Sequence, residues 1–153
     1  MRFLCDEMLT RLGRWLRAAG YDTLIQVNGG SDRVMLENAQ RGGRLLITRD
    51  HKLMEFRNAM SHVILLRGNT LRDCVQDLSS RVDIDWLHRP FSRCLLCNSV
   101  LSDASPTAWR QVPSKSRTHV DKLLYCGTCA KVYWEGAHVR RMHTRLTHWQ
   151  ASI

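Results

Sequence analysis

Two cysteine pairs, Cys94-Leu95-Leu96-Cys97 and Cys126-Gly127-Thr128-Cys129, and three aspartates just beyond apolar runs, Asp6, Asp32 and Asp50, carry the chemistry this chain could perform. A CxxC turn points two thiolates at one ion, and two such turns supply the four soft ligands of a tetrahedral zinc site. Four closed thiolates leave no open coordination position, so Zn²⁺ held there would be structural. The competing readings are a disulfide pair and a thioredoxin-type dithiol. No signal peptide is read at the start of the chain, and the cytoplasmic address this suggests disfavours disulfides. The 28 residues from 98 to 125 exceed the usual spacing between knuckles, so that stretch is an insertion or has a task.

The aspartates suit a hard cation. Crowded carboxylates repel one another unless a cation neutralises them, and Mg²⁺ or Mn²⁺ takes carboxylate oxygens and waters. Such an ion makes water nucleophilic against a phosphodiester and stabilises the leaving oxyanion. Asp6 and Asp50 lead as ligands and catalytic residues, Asp32 is third, and Glu37, about one helical turn beyond Asp32, is fourth. Each aspartate also precedes a helical run, where it could simply cap the helix. Arg14 and Arg17, on the polar side of the first helix, and Arg49, beside Asp50, could hold a phosphate or form a solvated basic face. Thr48 could position a metal-bound water through its hydroxyl. A Rossmann or P-loop nucleotide site is disfavoured, because no GxGxxG or GxxxxGK[ST] follows any strand.

These residues need elements to position them. Residues 1–80 alternate apolar strands with helical patterns: strands over 2–5, 23–27, 44–48 and 62–66, and helices marked by Met8, Leu9, Leu12, Trp15, Leu16 and Ala19, then Val34, Met35 and Ala39, then Leu71, Cys74, Val75 and Leu78. Gly20 and Gly42-Gly43 are helix stops, Ser31 or Asp32 is a cap, and Asn28-Gly29-Gly30 is a turn. Continuously apolar strands separated by helices predict an α/β fold with a parallel sheet covered on both faces. Ligands bind beyond the carboxyl ends of such strands, the edge where Asp6, Asp32 and Asp50 fall. Cys5 and Cys74 read as buried, inert thiols.

Residues 83–90 read as a linker between a sheet module, 1–82, and a ribbon with a basic tail, 91–153; Ser102 to Thr118 read as the loop between the knuckles. The net charge of +9 is uneven, with 14 Lys/Arg against 11 Asp/Glu in residues 1–90 and 9 against 3 in residues 91–153. The C-terminal excess favours a polyanionic partner. RNA or DNA fits better than a membrane, since no long segment with a wide apolar face accompanies the charge and no apolar run approaches a span. Arg140, Arg141 and Arg145, interleaved with Trp149, suit phosphate contact, against the alternative of a solvated tail. His138, His143 and His148, five residues apart, do not share a helical face, so a second metal site is not expected there.

The segments Phe3-Leu4-Cys5-Asp6-Glu7-Met8-Leu9, Leu12-Gly13-Arg14-Trp15-Leu16-Arg17, Gly20-Tyr21-Asp22 and Leu45-Leu46-Ile47-Thr48-Arg49-Asp50 resemble the Mut-seven C-terminal RNase domain family. Phe91 to Asn98, Cys126 to Cys129 and Val132 to His138 resemble its zinc ribbon. The resemblance implies a PIN-like nuclease fold with a C-terminal zinc ribbon, and ribonuclease activity on RNA from the PIN acidic site. By position, Asp6 and Asp50 stand where PIN-like domains place metal-binding acids, and Asp32 matches the acid opening the second helix. One departure is that no acid follows Asp50 until Glu55. The leading reading is a metal-dependent RNA endonuclease assisted by its ribbon. The alternatives are a non-catalytic RNA- or ribosome-associated module and an adaptor docking a protein partner in an RNA-processing complex.

Overall fold

The computed structural model describes residues 1–153 except Asn28, Asn58, Met60, Thr118 and His119, and except the side chain of Ser116. Asn28 of the expected turn and Thr118 of the expected loop therefore lie outside the described residues. The N-terminal half is the expected α/β unit. Strands β1 (Arg2–Cys5), β2 (Asp22–Ile25), β3 (Leu45–Thr48) and β4 (Val63–Leu65) form one parallel sheet in the order β2-β1-β3-β4. Its helices are α1 (Thr10–Ala18), α2 (Asp32–Arg41) and α3 (Leu71–Arg81).

Side chains alternate across a strand, so apolar runs serve two cores at once. Phe3, Cys5, Ile47 and Ile64 face α1 and α3, packing with Leu12, Leu16 and Leu78. Leu4 and Leu46 face the other way, onto Met35, Leu36 and Ala39 of α2. Local sequence sets the helix limits. Ser31 Oγ accepts the Val34 amide at 3.4 Å, Thr70 and Asp73 close a reciprocal capping box, and Gly20 leaves α1 with φ +100°. Two residues expected on core faces are exposed instead: Met8 at 58% and Val34 at 46%. Met8 sits in a 3₁₀ turn, Glu7–Leu9, whose three-residue period rotates it outward before α1 begins.

The C-terminal half is a small antiparallel sheet, β5 (Ser102–Asp103), β6 (Leu123–Cys126) and β7 (Lys131–Trp134), in that order. The stretch expected to be a loop folds. A 3₁₀ segment, Pro106–Gln111, and a short helix, α4 (Ser114–Arg117), bury Ala108 and Val112 against Leu123. The basic tail is likewise a helix, α5 (Ala137–Gln150). Its Met142, Leu146 and Trp149, at i, i+4 and i+7, pack into the same core as α1 and α3. The linker expected at 83–90 joins that core too. Trp86 is fully buried and Ile84 nearly so, and Trp149 contacts both Trp15 and Trp86 edge-to-face at 4.7 and 5.1 Å. Among the described residues, no helix is long and apolar enough to cross a membrane.

Candidate metal centre and acidic edge

The two knuckles bring four sulfurs together. The Sγ atoms of Cys94, Cys97, Cys126 and Cys129 all lie within 4.8 Å of one another. Cys94 and Cys129 are 3.9 Å apart and Cys97 and Cys126 3.4 Å. A tetrahedral ion with Zn–S bonds of ~2.3 Å requires sulfur separations of about 3.8 Å, so the donor set fits and can hold a metal ion such as zinc. Thiols this close share protons unevenly. The Ser99 hydroxyl, 3.3 Å from Cys97 Sγ, helps draw that thiol down to about 6, while the hydrogen bond with Cys97 pushes Cys129 up to about 12. A cation that takes all four as thiolates removes that conflict. Tyr133, at the end of β7, places its hydroxyl 3.0 Å from Cys94 Sγ, where it can donate to a thiolate.

The first knuckle is locked onto the sheet module. Arg17 Nη1 donates to the carbonyls of Leu95 and Leu96 at 3.0 and 2.7 Å, and its Nε to Thr23 O at 2.8 Å. Asn98, in a left-handed conformation at φ +73°, accepts the Thr23 amide at 2.9 Å and donates to Asp22 at 2.7 Å. It thereby satisfies the free edge of β2. Asp22 also takes a two-pronged ion pair from Arg44, which holds its carboxyl below the usual carboxylate range. Arg17, read from sequence as a candidate phosphate contact, thus turns inward to the knuckle. It is 5% exposed with its charge committed to backbone carbonyls, and burial lowers its pKa. The thiols of Cys5 and Cys74 are buried as expected, and burial pushes Cys5 up to about 12.

The acidic edge is built unevenly. Asp6 follows β1 directly and is 7% exposed. It occupies the N-cap position of the 3₁₀ turn but makes no capping bond; its carboxylate instead accepts the Thr48 hydroxyl at 2.9 Å. That hydroxyl also accepts the Asp50 amide at 3.0 Å, so one threonine at the end of β3 ties Asp6 to Asp50. Asp50 does cap, taking the Lys52 amide at 2.9 Å. Asp32 is half-buried in the first turn of α2, and exposed Glu37 pairs with Arg33 at 3.1 Å. The carboxylates of Asp6, Asp32, Asp50 and Glu37 do not form a cluster of three; among the described residues, the four cysteines are the one such set. Thr48 links Asp6 to the backbone of Asp50, and Asp32, in the first turn of α2, shares no such bond among the described residues. Arg49 is half-buried beside Asp50, with Nη1 3.5 Å from the Gly68 carbonyl and a buried Nε that has no partner among the described residues. Arg14 is exposed.

The sequence model of the Mut7-C RNAse domain matches residues 1–146. The chain belongs to the Mut7-C RNase domain family. No curated protein matches it. In this Mut7-C RNase domain the ribbon and α5 enclose a cleft of about 710 Å³, with Phe91, Trp134 and His143 among its aromatic walls and Arg93, Lys122 and Arg140 among its cations. His138 and His143 line that cleft, whereas His148 does not. Two residues that hold the first knuckle in place escaped the sequence reading. Asn98 carried a local signal, since an asparagine directly after a CxxC tolerates the left-handed turn that ends the knuckle. The structural role of Arg17 depends on a contact across 78 residues, which leaves no local mark.

Proposed function

We propose that the chain is a metal-dependent ribonuclease, an endonuclease cutting RNA phosphodiesters, in which Asp6 and Asp50, with Asp32 alongside, hold Mg²⁺ or Mn²⁺ and a zinc-loaded ribbon helps grip the strand. The observation that carries this reading is Asp6. A carboxylate 7% exposed, at the carboxyl end of the central strand β1, forms no cap and receives one hydroxyl bond, from Thr48. Burying an acid this way is costly unless a cation or further donors meet its free oxygen positions. Hard oxygen donors at this edge match Mg²⁺ or Mn²⁺. When bound, such an ion supplies a more acidic water and stabilises the departing oxyanion.

The protein's own part is orientation. Thr48 fixes the Asp6 carboxylate and, through the Asp50 amide, the backbone that carries the second acid. Asp50 spends one oxygen on the Lys52 amide and keeps the other for a ligand. The ribbon cleft combines aromatic faces with exposed Lys122 and Arg140, a pairing suited to unstacked bases on a single strand. A cytoplasmic location, and a protein partner within an RNA-processing complex, belong to the same reading.

The second reading is a non-catalytic RNA- or ribosome-associated module or adaptor. It is favoured by the capping role of Asp50 and by the lack of a three-carboxylate cluster among the described residues. Titration of Mn²⁺ into zinc-loaded wild type and Asp6→Asn separates the two. The nuclease reading requires wild-type binding that weakens at least ~10-fold in the variant, the scale of losing a ligand or its support; equal binding by both proteins promotes the second reading.

A further inference from the structure

Helix α5 places Arg141, Thr144, Arg145 and His148 at i, i+3, i+4 and i+7, a single face. That face forms one wall of a cleft of about 700 Å³, distinct from the ribbon cleft. The facing wall is Arg11, in the first turn of α1, with Thr70 and Arg72 at the start of α3. Four guanidiniums and an imidazole thus converge from three helices, and none of the described residues lining the cleft is acidic.

The contrast within α3 is informative. Arg81 pairs with Asp77, whereas Arg72, on the same helix, joins no ion pair among the described residues. Its neighbour Asp73 is turned into the capping box with Thr70. Arg11, Arg141 and Arg145 are likewise absent from the ion pairs of the described residues, and Arg145 rests over the Trp15 ring at 5.7 Å. Like charges gathered without counter-charges repel, and an anion between them relieves that repulsion. The guanidinium fork matches phosphate oxygens in two-pronged fashion.

Position and lining define the ligand further. In a parallel sheet, the helix after each strand starts at the strand's carboxyl end. Arg11 follows β1 and Arg72 follows β4, so the cleft opens at the edge that carries Asp6 and Asp50. Of its two aromatic lining residues, Trp149 is 7% exposed and held edge-to-face by Trp15 and Trp86, so the one free ring is the His148 imidazole, set among four guanidiniums that favour phosphate over a base stack. We infer that this cleft, walled by Arg11, Arg72, Arg141, Arg145 and His148, binds the phosphate backbone of single-stranded RNA beside the acidic edge, without reading bases. The inference rests on RNA as the substrate in the proposed function and adds Arg11, Arg72 and His148 to its binding residues. It divides the work on the strand: backbone to this cleft, bases to the ribbon cleft.

The test is fluorescence anisotropy of a labelled single-stranded oligouridylate with the zinc-loaded full chain in magnesium-free buffer, as a function of salt. The variants are Arg11→Gln/Arg72→Gln and a charge-matched control, Arg57→Gln/Arg110→Gln, whose arginines are exposed and outside the cleft. Two lost phosphate contacts on a single strand lower the salt slope by about 1.4, or affinity by roughly 20-fold at 0.1 M salt. That loss, with the control near wild type, is the expected result. An effect no larger than the control's, or no wild-type binding, overturns the inference. Because binding is read without cleavage, loss of the nuclease reading alone leaves this result standing, and an active enzyme indifferent to Arg11 and Arg72 sinks the cleft alone.

Discussion

Replacing Arg17 by methionine tests whether the first knuckle is welded to the sheet module. The side chain is 5% exposed and donates to three carbonyls, Thr23, Leu95 and Leu96. Thr23 is fully buried, so its carbonyl is left without that donor and without water, a loss of about 1–3 kcal/mol. Leu95 is half-buried and Leu96 is 48% exposed, so water can reach their carbonyls and each contributes nearer ~0.5–1 kcal/mol. Methionine keeps most of the apolar stem and removes a charge that burial disfavours, which offsets part of the loss. The net expectation is about 2–3 kcal/mol. For a chain of this size that lowers the melting midpoint by roughly 4–12 °C. Urea unfolding followed by tryptophan fluorescence measures it, and metal release to a chromogenic chelator should quicken in parallel, because Leu95 and Leu96 lie inside the knuckle. Arg14→Met, on the exposed side of α1, should change neither. A loss below ~0.5 kcal/mol for Arg17→Met, or release as slow as wild type, would refute the weld.

Cys126→Ser should leave a three-thiolate site and weaken zinc retention by orders of magnitude, with unfolding of β6 and β7 seen as lost amide protection. Gly20→Ala drives a methyl into the Arg89 carbonyl at φ +100°, so a destabilisation above ~2 kcal/mol is expected in chemical denaturation. The Asp22 carboxyl is depressed in the fold, so its contribution is complete above the unfolded value of about 3.9 and is lost as pH falls through the lower folded value. Asp22→Asn should flatten that acid limb of the stability curve; an unchanged limb would mean the Arg44 pair contributes nothing.

Much of the sheet module was legible because its signals are local. Apolar runs such as Leu45 to Thr48 mark strands buried on both faces, Ser31 and Gly20 punctuate helices, and the CxxC pairs fix their own partners. What escaped depends on distant contacts. Arg17 lies on a helix whose neighbouring knuckle is 78 residues away, so its polar type pointed to solvent. Residues 83–90 carry Asp, Arg and Pro and read as a linker, yet Trp86 finds a core completed by Trp149 from α5. The spacing of Met142, Leu146 and Trp149 already held the apolar stripe that makes the basic tail a packed helix. At the acidic edge, types and positions of Asp6 and Asp50 were readable. Which of them caps could not be read, because it turns on the Thr48 hydroxyl choosing Asp6.

The central claim is that Asp6 is kept buried to hold a catalytic cation. Its most direct test is cleavage of single-stranded RNA by the zinc-loaded chain in Mg²⁺ or Mn²⁺, compared with Asp6→Asn after both are shown to be equally folded. The account predicts metal-dependent internal cuts by the wild type and a loss of at least ~100-fold in the variant, the scale of removing a metal-activated nucleophile. Cleavage undiminished in Asp6→Asn, or no metal-dependent cleavage by the wild type, would contradict it.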